Sequence, residues 1–433
     1  MKRIFPDWTY GPGPRDGCWW DETAAAPDWP VLDGSLHADV AVIGGGFTGI
    51  SAALHLAQAG VSVAVLEGET PGWGASGRNG GFCCLGGAKL SGAAMARQHG
   101  AQAAEEYHRA EVDAVALAAR LIETHGIEAD THSRGETQLA HSRRAMEALR
   151  RKAEEGDTLH EVADLPGLGL SGPFHGGLSS PTGFGLNPRK YLFGLAGVAA
   201  GQGASLFQRS PVQQVARAGA LWSLDTPRGR VEAETVLLCT NGYSSEDVPS
   251  WMAGRYMPAQ STVMVTRPLS DGELQAQGWT SDQMAYDTRN MLHYFRLMPD
   301  RRFLFGMRGG LTSSPRIEAT IRSRVRRDFD RMFPAWRGVE ATHSWSGMVC
   351  LSRRLVPFVG PVPGHQGLFA GFAYHGNGVA MGTYSGRALA ALALGRKAGL
   401  PKVMTLPPLR FPLGRWRRAI MPPAYAALAL ADL

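Results

Sequence analysis

The pattern of apolar and polar positions is most regular near the start of the chain, where it predicts a strand, a helix and a second strand. Residues 39–67 read DVAVIGGGFTGISAALHLAQAGVSVAVLE. Residues 40–43, and residues 61–66 apart from Ser62, are apolar runs typical of buried strands, and the stretch between them has helical spacing up to about Ala59. A glycine turn separates the first strand from the helix. This order predicts a βαβ unit with two parallel strands.

Two later regions repeat the strand and turn signals. Residues 231–243, VEAETVLLCTNGY, lead through alternating positions into an apolar strand that closes at an Asn-Gly turn. Residues 367–395, GLFAGFAYHGNGVAMGTYSGRALAALALG, predict a strand, a glycine turn and a long helix with small residues on one face. The N-terminus of such a helix is suited to stabilise negative charge on a ligand.

The segments between these regions have a different pattern. Residues 85–190 are mostly helical in spacing, as in EEYHRAEVDAVALAARLIETHG. Residues 255–345 predict strands, including NMLHYFRLMPDRRFLFGMRG, in which Pro299 and Asp300 supply a hairpin turn. We expect these strands to form a mostly antiparallel sheet with one solvated face.

Composition narrows the classes of function. A chain of 433 residues favours two domains, and the net charge of +6 is too mild to imply a nucleic-acid partner. The arginines of residues 316–331 alternate with apolar residues, which predicts an amphipathic helix with a solvated basic face. Five cysteines without a CxxC pair argue against a metal site and a disulfide framework. No long apolar stretch is present, so we expect a cytoplasmic protein without a membrane span.

The glycine turn after the first strand predicts a dinucleotide site. Gly44, Gly46 and Gly49 form GxGxxG between the strand and the helix, and Glu67 ends the second strand about 20 residues later. The glycines permit a tight turn and a close approach to a pyrophosphate, which the helix N-terminus attracts. Glu67 is placed to accept hydrogen bonds from ribose hydroxyls.

The loop that follows Glu67 selects a flavin dinucleotide over a nicotinamide one. A nicotinamide domain would continue into further βα units, whereas this chain passes into GWGASGRNGGF at residues 72–82. Its glycines allow close main-chain approach to a ligand, and Ser76, Arg78 and Asn79 offer hydrogen-bond donors. We therefore expect the loop to run along an extended FAD molecule.

These motifs together resemble a known family. The runs GGGFTGISAALHLAQAG, GWGASGRNGG, CTNGYSS, WSG and GFAYHGNGVAMGTYSG occur in an order similar to that of the FAD-dependent D-amino-acid oxidase (DAO) superfamily, and most similar to its gamma-glutamylputrescine oxidase-like branch. The resemblance implies non-covalent FAD and an α/β (α+β) two-domain fold. A Rossmann-like FAD-binding domain would comprise residues 1–84, 191–254 and 346–433. A discontinuous substrate domain, a mostly antiparallel sheet with helices, would comprise residues 85–190 and 255–345.

The resemblance also assigns residues to the two halves of the site. The predicted FAD contacts are Gly44, Gly46, Phe47, Thr48, Gly49, Glu67, Gly74, Ala75, Ser76, Arg78, Asn79, Gly80, Gly81, Val212, Thr240, Asn241, Gly242, Gly376, Asn377, Gly378 and Val379. The candidates for the catalytic pocket are His293, Tyr294, Arg296, Arg308, Trp345 and His375.

Four of the pocket candidates have a structural alternative. For His375 it is shaping of its glycine loop, for Arg296 a pair with Asp300 across the hairpin, and for Tyr294 and Trp345 a place in the aromatic core. The excess of arginine in residues 296–308 predicts an anionic group on the substrate.

Departures from the family pattern limit the activity that the resemblance implies. Ala380 and Leu304 stand where sarcosine-type oxidases carry lysines for the substrate carboxylate and for oxygen. A simple sarcosine oxidase is therefore disfavoured, and the use of oxygen is open. Gly347, not Cys350, aligns with the position of covalent flavin attachment in some relatives, and Cys350 is expected to be a core thiol.

The resemblance implies oxidation of a carbon–nitrogen bond in an amine or amino acid. Hydride transfer to flavin N5 would give an imine, which hydrolyses to an aldehyde or oxo-acid. A secondary amine or gamma-glutamyl-polyamine-like substrate is favoured, with oxygen or a quinone or carrier as electron acceptor. The alternatives are a D-amino-acid dehydrogenase and a non-catalytic flavin-binding protein.

Overall fold

The structure is a computed structural model that describes residues 1–310 and 313–432. Its helices of the α type are α1 Trp20–Thr23, α2 Phe47–Gln58, α3 Gly92–His99, α4 Ala101–His125, α5 Arg143–Lys152, α6 Pro188–Gly201, α7 Asp271–Gln277, α8 Pro315–Met332, α9 Ala380–Ala393, α10 Lys402–Thr405 and α11 Met421–Ala431. Its strands are β1 Gly34–Ile43, β2 Val63–Leu66, β3 Phe82–Cys84, β4 Glu136–Leu139, β5 Thr158–His160, β6 Gly177–Ser180, β7 Gly183–Gly185, β8 Ser205–Phe207, β9 Gln214–Ala218, β10 Leu221–Asp225, β11 Gly229–Leu238, β12 Met257–Pro268, β13 Met284–Asp287, β14 His293–Leu297, β15 Arg302–Arg308, β16 Ala341–Leu351, β17 Phe358–Pro361 and β18 Leu368–Phe372.

The first sheet contains the predicted βαβ unit. Its strands lie in the order β17-β18-β11-β1-β2-β8, and β9 and β10 extend from β11. Strand β1 pairs in parallel with β2 and β11, so that Val40 lies opposite Val63 on one side and Thr235 on the other. Val40 and Val42 face a core formed with α2, whereas Ala41 and Ile43 face a second core. Apolar side chains on both faces explain the uninterrupted apolar run of this strand.

The second sheet has the order β16-β12-β15-β14-β13-β4-β6-β5. All of its neighbours are antiparallel except the parallel pair β13 and β4. On one face, which we call the outer face, aromatic residues of the sheet pack against α8 and the turn that follows it. The sheet residues are Phe295, Phe303 and Phe305, and their partners are Phe329, Phe333 and Trp336. The other face, which we call the inner face, carries a row of paired residues consisting of Trp345, Val263, Gly306, Tyr294 and Tyr286. The expectation of two domains, one with a mostly antiparallel sheet, is confirmed. The expected solvated face of that sheet is wrong, because the aromatic core covers the outer face and the loop at residues 78–81 covers the inner face.

The apolar side of helix α4 packs in the core of the first sheet. Its buried residues Tyr107, Ala110, Ala114 and Leu117 recur at intervals of three or four positions and join the same core cluster as Ile50 of α2. The strands β4, β5 and β6, which come from the same predicted segment 85–190, complete the second sheet. Strand β16 also crosses the predicted boundary at residue 346, because the whole strand pairs with β12.

Several expectations from composition can be compared with the described residues. Helix α8 buries Val325, Phe329 and Met332, and its arginines form ion pairs such as Arg326 with Asp330 on the solvated side. All five cysteines are buried and free. Among the described residues, no cluster of side chains suits a metal ion, and no helix is long and apolar enough to cross a membrane.

Candidate active site

A cavity of about 330 Å³ opens at the carboxyl ends of the parallel strands of the first sheet. Ligands bind at this edge in open α/β sheets. Its lining includes residues from the ends of β1, β2 and β11, from the loop after β2 and from the loop after β18. Among the predicted FAD contacts these are Gly44, Gly46, Phe47, Thr48, Glu67, Gly74, Ala75, Ser76, Asn79, Val212, Thr240, Asn241, Gly376, Gly378 and Val379.

The glycines of the first turn allow the backbone to fold tightly at one end of the cavity. Gly44 has φ +105°, and a Cβ added there would lie 2.9 Å from the Cys239 carbonyl oxygen. A Cβ on Gly49 would lie 2.0 Å from the Gly44 carbonyl oxygen. Alanine at either position would require backbone movement. The turn therefore depends on both glycines to place the N-terminus of α2 at the cavity.

Glu67 lies at the end of β2 and faces this turn. One carboxylate oxygen, Oε2, accepts a hydrogen bond of 2.9 Å from the Gly45 amide, and Oε1 accepts one of 3.0 Å from the Glu69 amide. Burial raises the pKa of Glu67, and the hydrogen bonds from Glu69 and Gly45 oppose that rise. The carboxylate is thus fixed at the cavity wall by backbone donors, in the position expected for a ribose contact.

The glycine-rich loop after β2 is closed by its own side chains. Asn79 donates to the carbonyl oxygens of Ala75 and Ser76 at 3.1 and 3.0 Å, and accepts from the Gly81 amide at 2.8 Å. The Ser76 hydroxyl accepts from the Phe47 amide at 3.0 Å, so that it reaches the first turn of α2. A Cβ on Gly46 would lie 2.8 Å from that hydroxyl oxygen. The loop and the helix N-terminus therefore form one wall of the cavity.

Arg78 lies beneath this wall and not in the cavity lining. Its side chain is 2% exposed, lies between the rings of Trp73 and Tyr243, and donates from one terminal nitrogen to the Ser346 carbonyl oxygen at 3.1 Å. Within the described part of the chain, its Nε and second terminal nitrogen have no hydrogen-bond partner. Trp73 and Tyr243 both line the cavity. The guanidinium therefore supports the cavity wall through these rings.

His375 holds the glycine loop after β18 in place. The residue has φ +50°, its Nε2 accepts from the Ser352 amide at 3.1 Å, and its Nδ1 donates to the Gly87 carbonyl oxygen at 2.8 Å. Burial, together with nearby Arg308, lowers the pKa of His375 to about 4. The imidazole is thus neutral at pH 7 with both nitrogens occupied. Its ring ties the loop to two distant segments and has no free nitrogen for a substrate.

The inner face of the second sheet covers the loop at residues 78–81. The Trp345 indole donates to the Arg78 carbonyl oxygen at 2.7 Å. The Tyr294 ring lies against Gly80, where an added Cβ would be 2.8 Å away, and its hydroxyl lies 3.1 Å from the Ser261 hydroxyl. Tyr294 and Trp345 therefore belong to the interface between the two sheets, on the side of the site.

Arg296 is the most enclosed polar residue of this interface, with 1% exposure. Its guanidinium donates to the carbonyl oxygens of Gly80 and Leu186 at 3.0 and 2.7 Å, and contacts Nε2 of His132 at 2.8 Å. Burial lowers the pKa of Arg296 to about 9. The suggested pair with Asp300 is not formed, because Asp300 pairs with Arg302 at 3.3 Å. All three donor groups of Arg296 serve the protein.

Two other residues of the same hairpin occupy opposite faces. Arg308 lies on the inner face, and one of its terminal nitrogens lies 2.4 Å from the position of a Cβ on Gly376. His293 lies on the outer face, where it stacks on Phe305 and its Nδ1 lies 2.8 Å from the Asp287 carboxylate. The structure thus brings Arg308 to the rim of the cavity and directs His293 away from it.

Comparison with known proteins identifies the family of this chain. Residues 39–392 match the DAO family, described as FAD dependent oxidoreductase. The chain belongs to the DAO family. It is 31% identical over 429 residues to the probable oxidoreductase OrdL of Rhizobium meliloti (strain 1021), and the alignment covers 96% of this chain and 97% of that protein. It is 28% identical over 394 residues to the gamma-glutamylputrescine oxidoreductase of Escherichia coli (strain K12), which covers 90% of this chain and 91% of that protein.

A solved structure shares the DAO fold with this chain. Glycine oxidase from Geobacillus kaustophilus superposes with a TM-score of 0.69 at 20% identity, covering 83% of this chain and 95% of that one. The similarity supports a common architecture. Together with the family match, it confirms the resemblance found in the motifs.

The cavity fits the FAD on which the DAO family depends. The N-termini of α2 and α9 both reach it, and neither helix has an acidic residue in its first turn. Two such helix ends suit a ligand that carries negative charge at a pyrophosphate and at a reducible ring. Glu67 lies at the wall near the end of β2, as ribose recognition requires. These residues would hold the cofactor at the edge of the sheet.

Some lining residues of this DAO-family site lie outside the predicted contacts. Arg3, Tyr10 and Met348 lie outside the motifs, whereas Trp73 and Tyr243 stand within GWGASGRNGG and CTNGYSS although the resemblance assigned them no contact. Six of the predicted contacts are not part of the lining: Gly49, Arg78, Gly80, Gly81, Gly242 and Asn377. The side chain of Asn377, for example, donates to the Leu85 carbonyl oxygen.

Proposed function

We propose that this DAO-family enzyme oxidises a carbon–nitrogen bond of an amine or amino acid. A secondary amine or a gamma-glutamyl-polyamine-like molecule is the favoured substrate. The similarity to the Escherichia coli gamma-glutamylputrescine oxidoreductase over nine-tenths of the chain supports this choice. The observation that carries the proposal is the junction at Gly376, where the cofactor cavity meets Arg308 on the inner face of the second sheet. A substrate bound there would lie between cofactor and sheet.

The side chains at this junction would act mainly by orienting the reactants. Bound FAD supplies the hydride acceptor. Tyr294 and Trp345 form the wall that faces the loop at residues 78–81 and would keep water from the reacting carbon. Arg296 would be a positioning residue, because it fixes the Gly80 carbonyl and each of its three nitrogens is bonded to a protein group. His375 would likewise position the loop after β18.

This arrangement suits a reaction that needs no strong base in the protein. The substrate amine would bind in its neutral form, with its carbon–hydrogen bond directed at the cofactor. Loss of a hydride from carbon and of a proton from nitrogen gives an imine. Water then adds to the imine, which releases the amine fragment and an aldehyde or oxo-acid. The neutral His375, with both nitrogens bonded to the backbone, is consistent with this absence of base catalysis.

Anaerobic reduction of the bound flavin tests the proposal directly. Purified, FAD-loaded protein is mixed with secondary amines, gamma-glutamyl-polyamines, N-methyl amino acids and D-amino acids, and the flavin absorbance is followed. We expect bleaching by at least one amine that carries a second polar group. Bleaching only by D-amino acids would favour a D-amino-acid dehydrogenase. A flavin that none of these compounds reduces would favour a non-catalytic flavin-binding protein.

Reoxidation of the bleached enzyme identifies its electron acceptor. The reduced protein is mixed rapidly with air-saturated buffer or with an artificial quinone, and the return of the flavin absorbance is timed. Leu304, on the inner side of β15, offers no charge near the cofactor to assist oxygen. We therefore propose that the quinone reoxidises the enzyme faster than oxygen does. Faster recovery in air would identify an oxidase.

A further inference from the structure

Residues 341–431 carry the positive charge of the whole chain. They contain ten lysines and arginines and no aspartate or glutamate. Because the net charge of the chain is only +6, the remaining residues are slightly acidic. A charge asymmetry of this kind favours contact with a polyanion, either a nucleic acid or an anionic membrane surface.

The 3₁₀ helix Gly414–Ile420 buries an arginine and exposes its apolar side chains. Arg417 is fully buried and pairs with Glu246 at 2.6 Å, which fixes the helix to the body of the protein. Leu413, which directly precedes the helix, and Trp416 are joined by a backbone hydrogen bond of 2.9 Å and are 60% and 67% exposed. This arrangement is the inverse of a helix that faces water.

Helix α11 continues the apolar surface. Its sequence, MPPAYAALALA, contains one polar side chain, the Tyr425 hydroxyl, and no charge. None of residues 421–431, all of which the structure describes, is buried, and Leu430 is 70% exposed. An apolar helix normally packs in a core or in lipid. With 11 residues, α11 is too short to span a bilayer and suits a position along its surface.

Three exposed arginines, Arg353, Arg410 and Arg415, border these apolar side chains. The Arg353 guanidinium donates to the Arg410 carbonyl oxygen at 2.9 Å, and the Arg415 guanidinium lies over the Trp416 ring. Within residues 1–310 and 313–432, none of the three forms an ion pair. We define the basic apolar surface as these arginines together with five exposed residues: Leu409, Leu413, Trp416, Leu428 and Leu430.

We propose that the basic apolar surface docks on a membrane that contains anionic lipids. The leucines and Trp416 would enter the boundary between headgroups and acyl chains, and the arginines would contact headgroup phosphates. The exposed apolar side chains favour lipid over a nucleic acid, which offers them no apolar environment. A second copy of the chain is disfavoured, because a two-fold contact would set the arginines of one copy against those of the other.

The basic apolar surface adjoins the rim of the cofactor cavity. The Asp432 carboxylate, directly after α11, accepts from the amides of residues 290 and 291 at 2.8 and 3.2 Å. The next carbonyl, that of Leu292, accepts from the Arg308 amide at 3.3 Å, and the Arg308 side chain lies beside Gly376 of the cavity lining. A docked protein would thus hold its cavity near lipid, in which an apolar quinone dissolves.

Flotation with lipid vesicles tests the inference on the FAD-loaded protein. Vesicles of phosphatidylcholine are compared with vesicles of equal parts phosphatidylcholine and phosphatidylglycerol. We expect binding to the anionic vesicles that is at least about tenfold tighter than to the neutral ones and that weakens at high salt. Arg410→Gln with Arg415→Gln should weaken it about 25-fold, since each basic residue near an anionic surface contributes about fivefold. The control Arg316→Gln with Arg327→Gln removes the same charge from exposed positions on α8 and should bind as the wild type does.

The apolar side chains are tested separately. Trp416→Ala with Leu430→Ala removes apolar area without changing the charge, and should weaken binding to the anionic vesicles by about tenfold or more. Both positions are largely exposed, so this variant should fold. The control Val162→Ala with Leu168→Ala truncates two exposed apolar side chains elsewhere and should leave binding unchanged. Brominated acyl chains should also quench tryptophan fluorescence less in Trp416→Phe than in the wild type.

Four results would overturn the docking proposal. The first two are equal or absent binding to the two kinds of vesicle, and arginine and apolar variants that bind no more weakly than their controls. The third is a dimer in solution that Trp416→Ala with Leu430→Ala dissociates while vesicles stay unbound, which would identify a second copy as the partner. The fourth is binding to poly-glutamate and not to vesicles, which would identify an acidic protein. Reduction of the flavin by amines tests the proposed reaction independently of all four.

Discussion

Replacing Arg296 by methionine separates a positioning role from a substrate contact. The substitution keeps most of the side-chain volume and removes every donor. The carbonyl oxygens of Gly80 and Leu186 lose their hydrogen bonds of 3.0 and 2.7 Å, and His132 loses its partner. Each buried carbonyl left without a donor costs about 1–3 kcal/mol. Removal of the buried guanidinium returns part of this cost, because burial already lowers its pKa to about 9.

The net effect of Arg296→Met should be a loss of about 2–4 kcal/mol of stability, because two buried carbonyl oxygens lose their donors and the removal of the buried charge returns part of that cost. Urea unfolding followed by tryptophan fluorescence, with FAD release measured in parallel, gives the assay. The matched control is Arg302→Met in the next strand. Arg302 is partly exposed and donates to Thr266 and Thr342, so its loss should cost less than about 1 kcal/mol.

A positioning role for Arg296 also predicts that substrate affinity is kept in Arg296→Met. Once Arg296→Met is saturated with FAD, its affinity for a reducing amine should match that of the wild type within about threefold, because each nitrogen of the guanidinium is directed at a protein group and not at a ligand. The opposite pattern would refute this reasoning: stability equal to that of Arg302→Met, together with a loss of substrate affinity of a hundredfold. Arg296 would then be a direct contact, as the sequence interpretation first suggested.

Three further predictions concern Gly386, His132 and Glu67. Gly386→Ala should destabilise the protein by about 1–3 kcal/mol, because the added Cβ would lie 2.3 Å from the Thr48 carbonyl oxygen and force α9 away from α2. The control Gly197→Ala, on an open helix surface, should stabilise the protein by up to about 1 kcal/mol, and thermal unfolding compares the two variants. Burial, with help from Arg296, lowers the pKa of His132 from 6.5 to about 4. Between these pH values the unfolded state binds more protons than the folded state, so stability should fall as pH drops from 6.5 to 4. The accompanying drop in melting temperature should be smaller in His132→Gln, and an equal drop in the variant and the wild type would contradict this prediction. Glu67→Gln should weaken FAD binding by about tenfold, measured by quenching of FAD fluorescence on titration of apoprotein, since an amide replaces a charged acceptor at the ribose position.

Local patterns in the sequence predict the parts of this molecule that depend on neighbouring residues. The strand–helix–strand unit, the role of Glu67 as its terminal acid and the glycine turn at residues 376–378 follow from spacing and residue type. Their positions at the cavity agree with those patterns, because a tight turn between a buried strand and a helix has few solutions. The family assignment from the motifs is confirmed by the match of residues 39–392 to the DAO family.

The choice of strand face is harder to predict from the sequence. His293 and Tyr294 are adjacent, and both are large side chains that suit a pocket. Pairing of His293 with Met307 and of Tyr294 with Gly306 places them on opposite faces of β14. Both faces of this sheet are covered, one by the aromatic core and the other by the loop at residues 78–81, so alternation of polarity carries little information.

Tertiary contacts between distant segments are missing from any local pattern. Arg296 contacts residues more than a hundred positions away at Gly80 and Leu186, and only the packing of the two sheets brings these together.

The composite lining of the cofactor cavity constrains when the enzyme can acquire its flavin during synthesis. The cavity wall combines the first βαβ turn near Gly44 with the loop that ends at Val379, and strand β18 must join β11 before that loop is in place. A ribosome-bound chain that has emerged only to β17 therefore lacks one side of the flavin site. FAD should therefore bind only after residues up to 379 have emerged and β18 has paired with β11, and no earlier nascent chain should hold it.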